Sequence, residues 1–229
     1  MLPLRLWDIS PPVHAGAPVY PADTPYRQRW TATLTPDNAV NVSEITLSPH
    51  IGAHADAPLH YDPAGAAIGA VDLAPYLGRC RVIHAIDCGG LIAWSDIAHA
   101  IAPTGAMAKE SLPPRVLVRT RQHAAVDHWD EQLIAFAPAT IERLAHHGVT
   151  LIGIDSASID PAHSSTLESH QAIRRLNLRV LENLVLDDVP EGDYELIALP
   201  LKWTSADASP VRAILRELPE VQKLRAAGR

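Results

Sequence analysis

The segment SPHIGAHADAPLHYDP, residues 48–63, holds the densest group of chemically active side chains in this 229-residue chain. Three imidazoles and one carboxylate fall within its first thirteen residues: His50, His54, Asp56 and His60. Imidazole nitrogen and carboxylate oxygen both bind divalent ions such as zinc. The segment contains no cysteine, which excludes a structural zinc site of the Cys-rich kind. A set of His and carboxylate ligands is instead typical of a catalytic metal site with an open coordination position.

The spacing of these four residues favours a metal site over a solvated cluster in a histidine-rich chain. All four occupy even-numbered positions, so an extended segment would turn them to one side. Pro58 cannot donate a hydrogen bond inside a sheet, and we therefore expect the segment to leave the sheet after Asp56. Gly52 has no Cβ, which lets backbone or ligand approach closely.

A second ion would need ligands from elsewhere in the chain, with the Asp56 carboxylate as a bridge. His170 lies in STLESHQAIRRL on the same helical side as Ile173, which predicts that it is buried, either as a ligand or as a core histidine. Glu182 lies in the apolar run RVLENLVLD. A carboxylate is costly to bury there unless it is paired or bound to metal.

The mixture of predicted strands and helices around these residues indicates an α/β fold, in a single domain over residues 1–229. Runs rich in β-branched residues predict strands at 42–48, 79–87, 115–120, 149–155 and 194–201. Helices are predicted at 140–147, 165–176, 95–101 and the C-terminal end, and residues 7–25 are predicted to form an extended, proline-rich arm.

The amino-acid composition limits the kinds of binding partner and the cellular location that can be expected. The net charge is −7 and no basic run occurs, which argues against nucleic acid as a partner. No apolar run approaches the ~18 residues of a membrane span, and no signal peptide is recognised. Together with only two cysteines, Cys80 and Cys88, these features predict a cytoplasmic protein with free thiols.

The pattern H-x-G-x-H-x-D-x-P-x-H resembles the signature of the cyclase-like metal-dependent hydrolases, and SPHIGAHADAPLHY is closer still to their kynurenine formamidase branch. The similarity continues through PVYPADTP, GIDSASIDPAHSSTLESHQ, LENLVLDDVPEGDYELIALPLKW and ADASPVRAIL. It covers most of the chain except residues 102–131. The resemblance implies a swivelling β/β/α fold, a homodimer, and hydrolysis of N-formyl-L-kynurenine to L-kynurenine and formate.

The resemblance also assigns roles to individual residues. It implies two zinc ions per subunit, held by His50, His54, Asp56, His170 and Glu182. Asp56 would bridge the ions, His60 would be the acid/base residue, and Tyr20 would line the substrate pocket. These roles suit amide hydrolysis, because zinc lowers the pKa of bound water to about 7 and so provides hydroxide for attack, while an imidazole can protonate the departing amine.

Other interpretations remain open from the sequence. Tyr20, where the family pattern has Trp, and the unmatched residues 102–131 would suit an isatin-type or cyclic-amide hydrolase using manganese. A non-catalytic metal-binding protein is a further alternative, against which the spare imidazole of His60 argues; His60 as a third ligand is the competing role. The chain has no G-x-S-x-G motif, so a nucleophilic serine is not expected. For Trp203 and Asp207 a structural role is favoured over a place at the pocket.

Overall fold

The computed structural model describes residues 3–101 and 112–221. Thirteen strands occur in these residues: β1 Leu6–Asp8, β2 Arg27–Ala32, β3 Val42–Thr46, β4 His54–Asp56, β5 Leu77–His84, β6 Leu91–Ile92, β7 Arg115–Arg119, β8 Ala135–Phe136, β9 Leu151–Ile154, β10 Arg179–Glu182, β11 Gly192–Ile197, β12 Ala208–Pro210 and β13 Ile214–Arg216. The α-helices are α1 Pro58–Tyr61, α2 Trp94–Ile101, α3 Pro138–His146 and α4 Glu168–Leu176, with 3-10 turns at Ile68–Ala70 and Ala74–Tyr76.

Nine strands form one mixed sheet in the order β1-β13-β11-β5-β7-β9-β10-β4-β12. The central strands β5, β7, β9 and β10 are parallel. Antiparallel strands extend the sheet on both sides. The predicted α/β fold is confirmed.

The central strands are rich in apolar residues because both faces of the sheet are covered there. In β7, Leu117 joins one buried cluster, whereas its neighbours Val116 and Val118 join another. Since side chains alternate along a strand, these clusters lie on opposite faces of the sheet. Ile141 of α3 and Ile173 of α4 belong to the second cluster, so the helices cover that face.

Most predicted elements are present, with shifted boundaries. The strands predicted at 79–87, 115–120, 149–155 and 194–201 correspond to β5, β7, β9 and β11. The strand predicted at 42–48 is β3, which pairs with β2 in a separate hairpin whose β3 residues are all exposed. Helix α4 begins at Glu168, three residues later than predicted, because Leu167 adopts a left-handed conformation with φ of 50°. The predicted C-terminal helix falls largely on residues outside the described part of the chain.

The conformation of the histidine segment corrects one expectation. Only His54–Asp56 forms a strand, so the alternation argument holds for His54 and Asp56 and is wrong for His50 and His60. His50 lies in a turn before β4, where Gly52 has a φ of 63°. His60 lies in α1, which Pro58 opens at its first position, where a missing N–H costs nothing.

The rest of the predicted proline-rich arm, residues 9–25 after β1, forms neither helix nor strand. Both cysteines are free, as predicted: Cys80 is buried and Cys88 is partly buried. Within the described residues, no helix has the length and apolar character needed to cross a bilayer.

Candidate metal centre

Three of the predicted ligands are placed by the pairing of β4 with β10. The register sets Glu182 opposite His54. Residues two apart on a strand, and paired residues on antiparallel neighbours, share a face, so His54, Asp56 and Glu182 point to one side. The Nε2 atom of His54 lies 3.2 Å from Oε2 of Glu182 and 3.5 Å from Oδ1 of Asp56. All three side chains are buried.

The turn before β4 and the helix after it bring the other two histidines of the segment to the same place. Nδ1 of His50 lies 3.1 Å from Oδ1 of Asp56. One ring nitrogen of His60 lies within 4.8 Å of ligand atoms of both Asp56 and His170. The sequence motif is therefore a true spatial cluster, although three different local conformations build it.

His170 reaches the cluster from the first turn of α4, where Asp160 holds it. The Asp160 carboxylate accepts hydrogen bonds from the backbone N–H groups of Ser169 and His170, at 2.8 and 2.9 Å. It also lies 2.7 Å from Nδ1 of His170. A carboxylate at Nδ1 fixes the tautomer that leaves the Nε2 lone pair free. That Nε2 lies 3.2 Å from Oδ2 of Asp56 and 3.6 Å from Oε1 of Glu182.

The donor set fits a divalent cation. The Nδ1 atom of His54 lies 2.9 Å from the carbonyl oxygen of Gly52, which leaves Nε2 as the free ring nitrogen. Nε2 of His54 and Oδ1 of Asp56 are buried and have no hydrogen-bond partner among the described residues. A buried polar atom without a partner is costly, and a cation between these two atoms would satisfy both. His50, His54 and Asp56 indeed present ligand atoms within 4.8 Å of one another.

The carboxylates of the cluster also favour a positive charge on the groups beside them. Burial alone would lower the pKa of His50, but the nearby carboxylates of Asp207 and Asp56 outweigh burial and raise the pKa to about 10. Burial opposes the same effect at His170, where Asp160 and Asp56 raise the pKa to about 10. Burial would raise the pKa of Asp56, yet its histidine partners hold it well below its usual range. The carboxylates that converge on these imidazoles therefore favour a bound positive charge, which a divalent ion would supply.

A cavity of about 390 Å³ adjoins the cluster. Tyr20 lines it and is half exposed. Its hydroxyl donates to the carbonyl oxygen of Ala162 at 2.9 Å, and its ring meets the Trp129 ring edge-on at 5.2 Å between centroids. The cavity therefore joins a polar, buried cluster to an aromatic wall.

The structure corrects the interpretation of Asp207, for which a structural role was favoured. Its Oδ2 lies 3.0 Å from Nε2 of His50 and 3.3 Å from Nδ1 of His60, and it lines the cavity. Asp207 comes directly before β12, which pairs with β4, so the sheet register brings it to the motif. Trp203 is not among the cavity-lining residues in the described part of the chain. Sequence reasoning also missed Asp160 and Trp129; an Asp upstream of a helix start was the available signal for Asp160.

A family model named Cyclase matches residues 7–161. The chain belongs to the Cyclase family. It is 69% identical over 214 residues to the kynurenine formamidase of Bordetella pertussis, covering 93% of this chain and 99% of the relative. The kynurenine formamidase of Paracidovorax citrulli is 65% identical, with 93% and 97% covered. The predicted relationship to this branch of the family is confirmed.

Two solved structures share the fold. A protein from Bacillus stearothermophilus described as a "predicted metal-dependent hydrolase" superposes with a TM-score of 0.77 at 26% identity, covering 95% of this chain and 100% of that one. An isatin hydrolase bound to the product analogue thioisatinate gives a TM-score of 0.79 at 20% identity, covering 93% and 92%. The second likeness shows the shared fold alone.

We expect the substitution Asp160→Asn to weaken the binding of added zinc, used as the probe ion, by about 10–100-fold, because an amide holds the His170 ring less firmly than a carboxylate does. Competition with a coloured chelator measures the affinity directly. Asp127→Asn is the matched control, since the exposed Asp127 contacts only its neighbour His128 among the described residues. Equal zinc affinity for Asp160→Asn and the native chain would show that Asp160 only caps the first turn of α4 and does not orient His170 for metal binding.

Proposed function

We propose that this protein is a zinc-dependent kynurenine formamidase that hydrolyses N-formyl-L-kynurenine to L-kynurenine and formate. The observation that carries this choice of substrate is the 69% identity to a kynurenine formamidase over nearly the whole of both chains. The buried His and carboxylate cluster beside an aromatic-walled cavity supports a hydrolase acting on an aryl amide.

The ligands proposed for two zinc ions are the five buried or partly buried residues of the cluster. His50, His54 and Asp56 would hold the first ion. Asp56, together with His170 and Glu182, would hold the second. The contacts of Asp56 support this division, because Oδ1 lies beside His50 and His54 whereas Oδ2 lies beside His170.

When bound, zinc lowers the pKa of water and polarises a carbonyl oxygen, which are the two aids that formamide hydrolysis needs first. The chain supplies the rest. Hydrolysis breaks the bond between the formyl carbon and the aryl nitrogen, and that nitrogen must gain a proton as it leaves. His60 lies beside the cluster and faces the cavity, so its imidazole gives that proton. Asp207, 3.3 Å from Nδ1 of His60, holds the ring in place.

We also propose the homodimer that the resemblance implies. The β2–β3 hairpin, which pairs apart from the main sheet, supports it because large apolar side chains lie exposed there: Trp30, Leu34, Val40, Val42 and Ile45. Exposed apolar surface of this kind marks interaction sites. The single-domain organisation, the cytoplasmic location and the absence of a nucleic-acid partner stay predictions.

A comparison of substrates tests the proposal against the isatin-type alternative. We expect kcat/KM for N-formyl-L-kynurenine to exceed that for isatin by at least about 100-fold, since a cyclic amide lacks the tail and the free formyl group that the site is proposed to receive. The appearance of L-kynurenine and the loss of isatin are both followed by absorbance. Faster hydrolysis of isatin would instead support the cyclic-amide alternative.

A further inference from the structure

An ion pair that includes none of the proposed metal ligands lines the cavity. Nη2 of Arg121 lies 2.5 Å from Oδ2 of Asp130, and both residues line the cavity. Their side chains are only 26% and 19% exposed. Among the described lining residues, Arg121 is the one with a permanently positive side chain. A fixed positive and a fixed negative group thus face the same cavity.

The backbone beneath Arg121 is held by a buried carboxylate. Asp155 accepts hydrogen bonds from the N–H groups of Thr120, at 2.9 Å, and Arg121, at 3.1 Å. It also accepts one from the Thr120 hydroxyl at 2.6 Å. Asp155 lies at the end of the buried strand β9, so this anchor ties the start of the loop to the sheet core. Arg121 therefore projects from a fixed point at the cavity wall.

The guanidinium of Arg121 retains donors for a ligand. Both of its side-chain contacts, to Asp130 and to the carbonyl oxygen of Gln132 at 2.5 Å, use Nη2. Its Nε and Nη1 have no partner in residues 3–101 and 112–221. A guanidinium with free N–H groups on one edge presents a fork that matches the two oxygens of a carboxylate.

We propose that Arg121 and Asp130 bind the α-amino-acid end of the substrate, with the guanidinium on the α-carboxylate and the Asp130 carboxylate on the α-ammonium. This inference rests on the proposed function. An α-amino acid is a zwitterion, and an adjacent pair of opposite fixed charges is its electrostatic complement. The two side chains neutralise each other, which lowers the cost of partly burying them. The aromatic pair Tyr20 and Trp129 shares this wall and suits the substrate's arene.

The consequence is a specificity device that acts away from the reacting bond. Formylated arylamines without the amino-acid tail would still reach the metal centre, but they would leave Arg121 and Asp130 unused. A site built around partly buried charged groups discriminates against ligands that fail to pair with them. The pair therefore separates formylkynurenine from simple arylformamides.

Three substrates test the assignment: N-formyl-L-kynurenine, its analogue without the amino group, and N-formyl-2-aminoacetophenone, which has no tail. We expect Arg121→Met to reduce the preference in kcat/KM for formylkynurenine over the tail-less ketone by about 10–100-fold, and Arg121→Lys to restore part of it. Asp130→Asn should reduce the preference for formylkynurenine over the amino-free analogue. Arg175→Met, which alters an exposed pair with Glu142 outside the cavity, is the control and should change neither ratio.

An unchanged preference in both cavity variants, or an equal loss on all three substrates, would overturn the assignment. Binding of L-kynurenine, measured by calorimetry, decides it without turnover. We expect Arg121→Met to weaken that binding by at least about tenfold. Absence of turnover in the native chain would refute the proposed formamidase, whereas equal or absent binding of L-kynurenine in the native chain and Arg121→Met would refute the role of the ion pair.

Discussion

The substitution His60→Gln is expected to lower kcat for N-formyl-L-kynurenine by about 10²–10⁴-fold, the usual contribution of a positioned acid/base group. Glutamine keeps a polar side chain of similar reach but cannot exchange a proton near neutral pH. Zinc content should stay unchanged, because the proposed ligands of both ions remain in place. Steady-state kinetics together with metal analysis of the same preparation measure both quantities.

The control for this prediction is His146→Gln, which removes an exposed imidazole of α3 outside the cavity. It should change neither kcat nor zinc content. Loss of zinc along with activity in His60→Gln would identify His60 as a ligand, which its position within 4.8 Å of Asp56 and His170 ligand atoms also permits. Full activity in that variant would remove His60 from the mechanism altogether.

A second large effect is expected at Asp56, whose Oδ1 lies 3.1 Å from Nδ1 of His50 and whose Oδ2 lies 3.2 Å from Nε2 of His170. Asp56→Asn removes the negative charge on which His50 and His170 converge, so we expect both ions to be lost and kcat/KM to fall by at least about 10³-fold. Glu182→Gln is the matched comparison. It alters a ligand proposed for one ion only and should retain about one zinc per subunit.

Metal content per subunit after gel filtration measures this difference. The ordering matters more than the absolute values: two ions in the native chain, one in Glu182→Gln and none in Asp56→Asn. Two tightly bound ions in Asp56→Asn would contradict the bridging role. One ion in both variants would show that the two ions do not share Asp56.

The sequence alone indicates most residues of the His and carboxylate cluster, because most of them lie close together in the chain. Four of the clustered side chains come from one short segment. His170 and Glu182 are recognisable because each is a polar residue in an apolar stretch of sequence. The geometry of the segment was less predictable. A turn at Gly52 and a helix starting at Pro58 replace the continuous extended chain, yet all four side chains still meet.

The residues that the sequence did not reveal depend on long-range pairing. Asp207 reaches His50 only because β12 lies next to β4, across 157 residues of chain, and nothing in the local sequence specifies that neighbour. Arg121, Trp129 and Asp130 lie in the stretch 102–131, which the family resemblance did not cover. Loop residues of this kind can be identified as lining the cavity only from the three-dimensional structure.

Formate release from N-formyl-L-kynurenine, by protein stripped of metal and then reloaded, tests the central claim most directly. We expect no release by the stripped chain and restored release after two equivalents of zinc per subunit. Manganese serves as the comparison ion. No release with either metal, by a chain that still binds two ions, would contradict the assignment of this centre to formamide hydrolysis.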